Sequence, residues 1–475
     1  MRRYEHVLSG LSKLNPEMID MFFSPRKYLT VVCILFTSTV THASNISIAL
    51  AEPSWSFLMD NQALQTVELS PEERSFLREI QPFLEATNYQ TAETAFNKWV
   101  SELDKDAPLS ASMSLMRGQI YLANNKDSEA IKALKLAIEG RPDFAPAHRS
   151  IGLAYLRQDQ PLNARPHLQK AIQLGDQSAQ LYGQLAYLNL QSGFAASAVA
   201  GYQQALFLDA DNEEWSRGLL YALTRAQALP QAQAMVEQLL ESEPNDPELW
   251  LLRSQIALQQ DKPLTALGSL ESALTLGDTK PANLVTAAQL HMTSGSPERA
   301  VELMTSDKVL TRNIKANHEQ ALVQAAAWLA QQQKWPTLTT LLTRTDKANL
   351  TAESKADLAV SRAQMAIFRN NYARAEKSLK QAITQNPTHG EAIIALADLL
   401  RGQKRYQQAT MFYQRAESLP GLEERALLGR AQSEIEQRNY DTALNILGTV
   451  VRNNPDRTDL RASMHSLRNL VRNRP

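Results

Sequence analysis

Apolar and small residues recur along this chain with a helical spacing that polar clusters interrupt at short, regular intervals. Gly118, Tyr121 and Leu122 share one face, Ala130, Leu134, Ala137 and Ile138 share the next, and Asn124-Asn125-Lys126-Asp127 separates the two groups. The pattern predicts two helices joined by a tight turn. It then repeats: Ala130, Ala164, Ala198, Ala232, Ala266 and Ala300 stand 34 residues apart, as do Gly118 and Gly152, Tyr121 and Tyr155, and Leu134 and Leu168. The series is disturbed after Ala300. It resumes two periods and seven residues later at Ala375, followed by Ala409 and Ala443, with Tyr372, Tyr406 and Tyr440 in step.

Each period therefore reads as a helical hairpin. Alanine at a helix crossing lets two axes approach closely, a glycine or alanine opposite makes room, and a leucine or aromatic side chain fills the adjoining groove. Pro142, Pro244, Pro387 and Pro455 fall after second helices, where proline stops one helix and admits the next. Two weaker units complete the series: Asn88-Tyr89 with Ala92 and Phe96, and Trp335 with Leu338 and Leu342. We count eleven hairpins. A single one lies below the roughly 40 residues usually needed to fold alone, so its apolar side must be buried against its neighbours. After the last hairpin, Leu460, Met464, Leu467, Leu470 and Val471 share one face of a final helix that would cap the stack. The expected fold is all-α, a superhelical solenoid with a long concave face.

These signatures resemble the tetratricopeptide repeat (TPR) family. Gly152-Leu153-Ala154-Tyr155 followed by Ala164, Leu168 and Ala171 matches its two helices. Ala205 to Asn212 looks like its closing segment with Ala210 in place of the usual proline, and Trp250 occupies the large first-helix position. Leu219-Leu220 and Ser254 depart from the pattern where a small first-helix residue is expected, which implies less regular packing there. The expected organisation is a signal region at 1–43, an extended N-terminal segment at 44–72, a first repeat block at 73–310, a degenerate repeat at 311–353, a second block at 354–455 and a basic capping helix at 456–475.

The N-terminus changes the picture. Arg26 and Lys27 precede the apolar run Tyr28 to Phe36, and small residues stand at Thr41 and Ala43, as in a secretory signal peptide. Cleavage would follow Ala43 or Ala51. The run is short and threonine-rich for a membrane span, although an uncleaved anchor remains the alternative. Met21 to Lys27 forms an ordinary n-region, whereas the twenty residues before it carry Glu5, Glu17 and Asp20; translation is expected to begin at Met21. The expected location is the periplasm.

Composition narrows the function. The 475 residues balance 49 Lys+Arg against 50 Asp+Glu, which removes the electrostatic motive for generic nucleic-acid binding. Cys33 is the only cysteine, so neither a disulfide framework nor a thiolate metal site is expected. None of the eight histidines forms a His-Glu-x-x-His motif, and there is no Gly-x-Ser-x-Gly elbow, phosphate-cradling glycine loop or dinucleotide fingerprint. His148 and His167 fall in neighbouring helices of one hairpin but lack a third ligand. No catalytic residue, metal or cofactor is expected, and the chain reads as a non-enzymatic protein-protein interaction scaffold.

In the TPR family the first helix of each unit lines the inner surface. The matching positions here form a row of Gln119, Leu153, Tyr187, Tyr221, Gln255 and Gln289, then Gln364, Asp398 and Gln432. Glutamine offers donors and an acceptor to an extended peptide backbone, and tyrosine adds apolar area with a polar tip. Arg149 and Arg217 fall beside Tyr187 and Tyr221 and with them make the best expected binding patch. The Lys/Asn clamp by which some members hold a C-terminal carboxylate is not reproduced, since Leu115, Gln119, Arg149 and Leu153 occupy those places. The terminal helix carries Arg457, Arg461, Arg468, Arg472 and Arg474 against Asp456 and Asp459. Such a helix either presents a solvated cap or makes peripheral contact with an anionic surface.

Residues 181 to 304 also look like periplasmic TPR proteins that accompany TonB/ExbB/ExbD-type energy-transduction systems, through Gly201 to Ala205, Pro247 to Leu252 and Gly295 to Ala300. That resemblance implies contact with envelope proteins in the concave groove. The alternatives are a scaffold for cell-surface polysaccharide export or peptidoglycan remodelling, and a direct glycan-binding module.

Overall fold

A computed structural model describes residues 69–103, 109–311 and 313–472. The expected signal region, with both cleavage positions, and most of the extended segment lie outside the described residues, as does Arg474. Among the described residues there are twenty-three helices and no strand. They divide into two compact units.

In the N-terminal unit the helices pair as α1 (Pro71–Glu85) with α2 (Tyr89–Glu102), α3 (Ala111–Ala123) with α4 (Asp127–Gly140), α5 (Ala145–Arg157) with α6 (Pro161–Gln173), α7 (Ala179–Gln191) with α8 (Ala195–Leu208), and α9 (Glu213–Arg225) with α10 (Leu229–Ser242). Residues 255–260 of α11 (Pro247–Gln259) also belong to it. The C-terminal unit holds residues 245–254 and everything from 261 onward. Its helices are α12 (Pro263–Thr275), α13 (Pro281–Thr293), α14 (Pro297–Met304), α15 (Ala316–Gln331), α16 (Trp335–Thr345), α17 (Ala352–Phe368), α18 (Tyr372–Gln385), α19 (Gly390–Gly402), α20 (Tyr406–Glu417), α21 (Glu423–Glu436), α22 (Tyr440–Asn453) and α23 (Thr458–Arg472). The twenty-three helices make eleven hairpins and one terminal helix, as the periodicity predicts.

Side-chain size explains the period. Ala130, Ala164, Ala198, Ala232, Ala266 and Ala300 are all fully buried, and so are Ala375, Ala409 and Ala443. Opposite them the glycines make room: a Cβ on Gly118 would lie 2.4 Å from Leu134 Cγ, and one on Gly152 would lie 2.2 Å from Leu168 Cδ2. Where the pattern departs at Leu219-Leu220, the close approach moves to Gly218, whose Cβ would meet the Tyr202 ring at 2.4 Å. The weak first unit gains an aromatic cluster, with Phe76 stacked on Trp99 at 4.3 Å and Phe96 edge-on to both. In the terminal helix, Leu460, Met464 and Leu467 are buried against Ile446, Leu447 and Val450, the capping contact expected.

The turn inside each hairpin is marked by one left-handed residue. Thr87, Asn125, Asp159, Gly193, Gln227, Asp261, Gly295, Gln333, Asn370, Lys404 and Arg438 all have positive φ. At Gln333 the turn is a Schellman motif, with Lys334 N–H donating to Leu329 O at 2.8 Å and Gln333 N–H to Ala330 O at 3.1 Å. Glycine meets that conformation without a Cβ clash, whereas an exposed glutamine at φ 53° does not. Gln333→Gly is therefore expected to stabilise the C-terminal unit by about 0.5–1 kcal/mol, read from its denaturant midpoint. Between hairpins, Gly175 and Gly277 carry φ of 97° and 101° as plain turn residues. Among the described residues, no helix is long and apolar enough to cross a membrane.

Candidate partner-binding surface

The expected inner row lies on first helices of the hairpins, and the structure divides it by exposure. In the N-terminal unit Gln119 and Tyr221 are each 8% exposed and pack between helices, while Tyr187 and Gln255 are half-buried. Gln119 Nε2 donates to Ser150 Oγ at 3.3 Å, and its Oε1 is buried without a hydrogen-bond partner. Tyr187 and Gln255 are therefore the row members in this unit that offer surface.

The two arginines have internal work. Arg149 on α5 holds Asp176 at 3.0 Å, just beyond the end of α6, and the same carboxylate accepts the Ser178 N–H at 3.3 Å. Two periods on, Arg217 on α9 holds Glu243 at 2.5 Å just beyond α10. Both guanidinium groups are largely buried, so each clamps the exit of its own hairpin. Each arginine thus has its charge matched by a carboxylate of its own hairpin.

In the C-terminal unit Gln289 and Gln364 are half-buried, and two row members are joined by one polar network. Tyr413 on α20 donates its hydroxyl to Asp398 Oδ1 at 2.5 Å and accepts from Arg401 Nε at 3.3 Å. Arg401 reaches Glu436 at 2.5 Å, and Gln432 Nε2 donates to the same carboxylate at 3.3 Å. Burial pushes the Asp398 carboxyl above the usual carboxylate range, against the opposing pull of Tyr413 and Arg401. Sequence reasoning placed Asp398 and Gln432 but missed Arg401, Tyr413 and Glu436. The available signal was Gly429, where a Cβ would lie 2.3 Å from the Tyr413 ring.

The same arrangement exists in the N-terminal unit with its polar partners removed. Tyr202 and Gly218 stand six periods and the seven-residue insertion before Tyr413 and Gly429, where Tyr187 replaces Asp398 and Leu190 replaces Arg401. The Tyr202 hydroxyl is fully buried and has no hydrogen-bond partner among the described residues.

His148 and His167 do meet. Their Nδ1 atoms are 3.1 Å apart, beside a cleft of about 350 Å³ also lined by Ile138, Pro142, Pro166 and Lys170. His148 Nε2 lies 3.0 Å from Pro142 O, which can only accept, so Nδ1 of His148 is the acceptor and His167 Nδ1 the donor. Among the described residues no three His, Cys, Asp or Glu side chains converge as a metal site would require. Burial, followed by the charges of His148 and Lys135, lowers the His167 pKa to about 4. An imidazole held below its ordinary 6.5 favours the fold when neutral. Its contribution is complete above pH 6.5 and is lost as pH falls toward 4. Discounted for its half-exposed position, that loss is expected to reach roughly 1 kcal/mol, and His167→Gln is expected to flatten it in pH-dependent unfolding.

Family models agree with the repeat. A TPR repeat model matches residues 118–159, and tetratricopeptide repeat models match 189–256, 369–417 and 425–457. The cellulose synthase operon protein C of Escherichia coli K12 is 31% identical over 130 residues, 26% of this chain, which spans only 11% of that relative's length. The TPR protein YrrB, whose structure is described as having an unusual peptide-binding site, is 17% identical, with 42% of this chain and 97% of that one covered at a TM-score of 0.35. The Naa15/Naa10 assembly bound to HypK is 15% identical, with 80% and 68% covered at 0.38. Tandem hairpins of this kind generally present surfaces to other proteins and carry no reaction centre of their own. With its 34-residue period, its buried alanines and the family models that match along it, this chain is a tetratricopeptide repeat protein.

Proposed function

We propose that this protein is an exported, non-enzymatic scaffold that holds one or more proteins of an envelope machine along the first helices of its hairpins, as an accessory component of a TonB-type energy-transduction system. The observation that carries this reading is the resemblance of residues 181 to 304 to the periplasmic proteins of such systems. Tyr187 and Gln255 in the N-terminal unit supply half-buried groups suited to an extended segment, the glutamine bonding its amides and the tyrosine ring taking its apolar side chains, and Gln289 and Gln364 supply further half-buried amides within the C-terminal unit.

A second reading keeps the scaffold and changes the machine. The 31% identity to cellulose synthase operon protein C favours a role in export of a cell-surface polysaccharide. Crosslinking in the native strain followed by mass spectrometry separates the two. Recovery of ExbB-, ExbD- or TonB-like proteins is expected, with recovery reduced in Tyr187→Ala. Polysaccharide synthase subunits in their place would transfer the assignment to the second machine.

A further inference from the structure

The basic terminal helix has a use that its capping role does not require. Of its basic groups, Arg457 is withdrawn from solvent duty: it pairs with Asp459 at 2.7 Å and also with Glu424. Arg461, His465, Arg468 and Arg472 remain, and all four are exposed. Their spacing of four, three and four residues places them in one stripe along α23, about 16 Å long at 1.5 Å per residue. None of them pairs with a carboxylate among the described residues. Arg461 donates only to the Pro455 carbonyl, at 2.9 Å.

Between these groups stand Ala462, Ser466 and Asn469, which are small and exposed. Being shorter than arginine, they do not keep the guanidinium groups from reaching a flat surface together. The apolar side of α23 is already spent on α22, since Leu460, Met464 and Leu467 are buried there. The helix is thus set to lie on an oppositely charged plane without inserting into it.

We propose that this stripe docks the protein on an anionic lipid surface, with the guanidinium groups of Arg461, Arg468 and Arg472 bonding the headgroup phosphates. The bond is electrostatic and peripheral. It is separate from the inner row that would hold a protein partner.

The test is co-sedimentation of the full chain with vesicles of phosphatidylcholine, with and without a one-third share of phosphatidylglycerol. Binding is expected only with the anionic lipid and is expected to be released by added salt. The exposed triple variant Arg461→Gln/Arg468→Gln/Arg472→Gln, with its unfolding midpoint unchanged, is expected to bind roughly a hundredfold more weakly. Because the N-terminal apolar run is present in both proteins, it does not contribute to that difference. Equal binding by the triple variant overturns the proposal. So does binding of polyglutamate or RNA by a protein that ignores the anionic vesicles.

Discussion

Ala198→Trp is expected to destabilise the N-terminal unit by about 3 kcal/mol, seen as a lower midpoint in thermal or denaturant unfolding. Ala198 is fully buried in α8, where this helix runs against α7 so closely that a Cβ on Gly201 would lie 2.9 Å from that of Ala186. An indole cannot enter such a crossing without moving one helix off the other. Because each hairpin packs directly on the ones before and after it, the displacement propagates to its neighbours. Ala196 sits two residues away on the exposed face of the same helix and supplies the control. Ala196→Trp is expected to stay within about 0.5 kcal/mol of the parent. Equal midpoints for the two tryptophan variants would show that the register of the repeat is misassigned.

Removing one hydroxyl is expected to have opposite consequences in the two units. Tyr413→Phe takes the donor from Asp398 and the acceptor from Arg401, leaving a half-buried carboxylate with its nearest cation at 3.9 Å. Loss of a hydrogen bond to a charged group costs about 1.5–3 kcal/mol, and that is the expected effect on the C-terminal unit. Tyr202→Phe removes a hydroxyl that is buried without a partner, so no bond is broken and a desolvated polar atom is deleted. Its expected effect is neutral to slightly stabilising. The comparison is made by denaturant unfolding of the two single variants. A loss of similar size at both positions would mean that Tyr413 acts through its ring and not through its network.

The parts legible from sequence were those that steric demand imposes at every repeat. Alanine must be small at a crossing whatever surrounds it, and glycine must lack a Cβ where Leu134 or Leu168 presses in, so the 34-residue spacing shows without any knowledge of partners. The same logic exposed the weak hairpins at Tyr89 and Trp335. Side-chain partnership was harder to read. Arg149 and Arg217 looked free because Asp176 and Glu243 sit beyond the following helix, outside any local pattern of charge. Burial of Gln119 and Tyr221 depends on how far neighbouring first helices close over them, which spacing alone does not encode. Tyr413 was hidden for a related reason: its network draws on three helices, and its equivalent Tyr202 keeps the ring and loses the partners.

The two arginine clamps each close inside a single hairpin, α5/α6 and α9/α10. Such a hairpin carries both charges of its ion pair with it, and it could be copied, deleted or transplanted without leaving either charge behind. The Tyr413 network spans α19, α20 and α21 and so ties the tenth hairpin to the eleventh. Copying the third or the fifth hairpin therefore carries its clamp along whole, whereas the Tyr413 network survives only if the last two hairpins are inherited together.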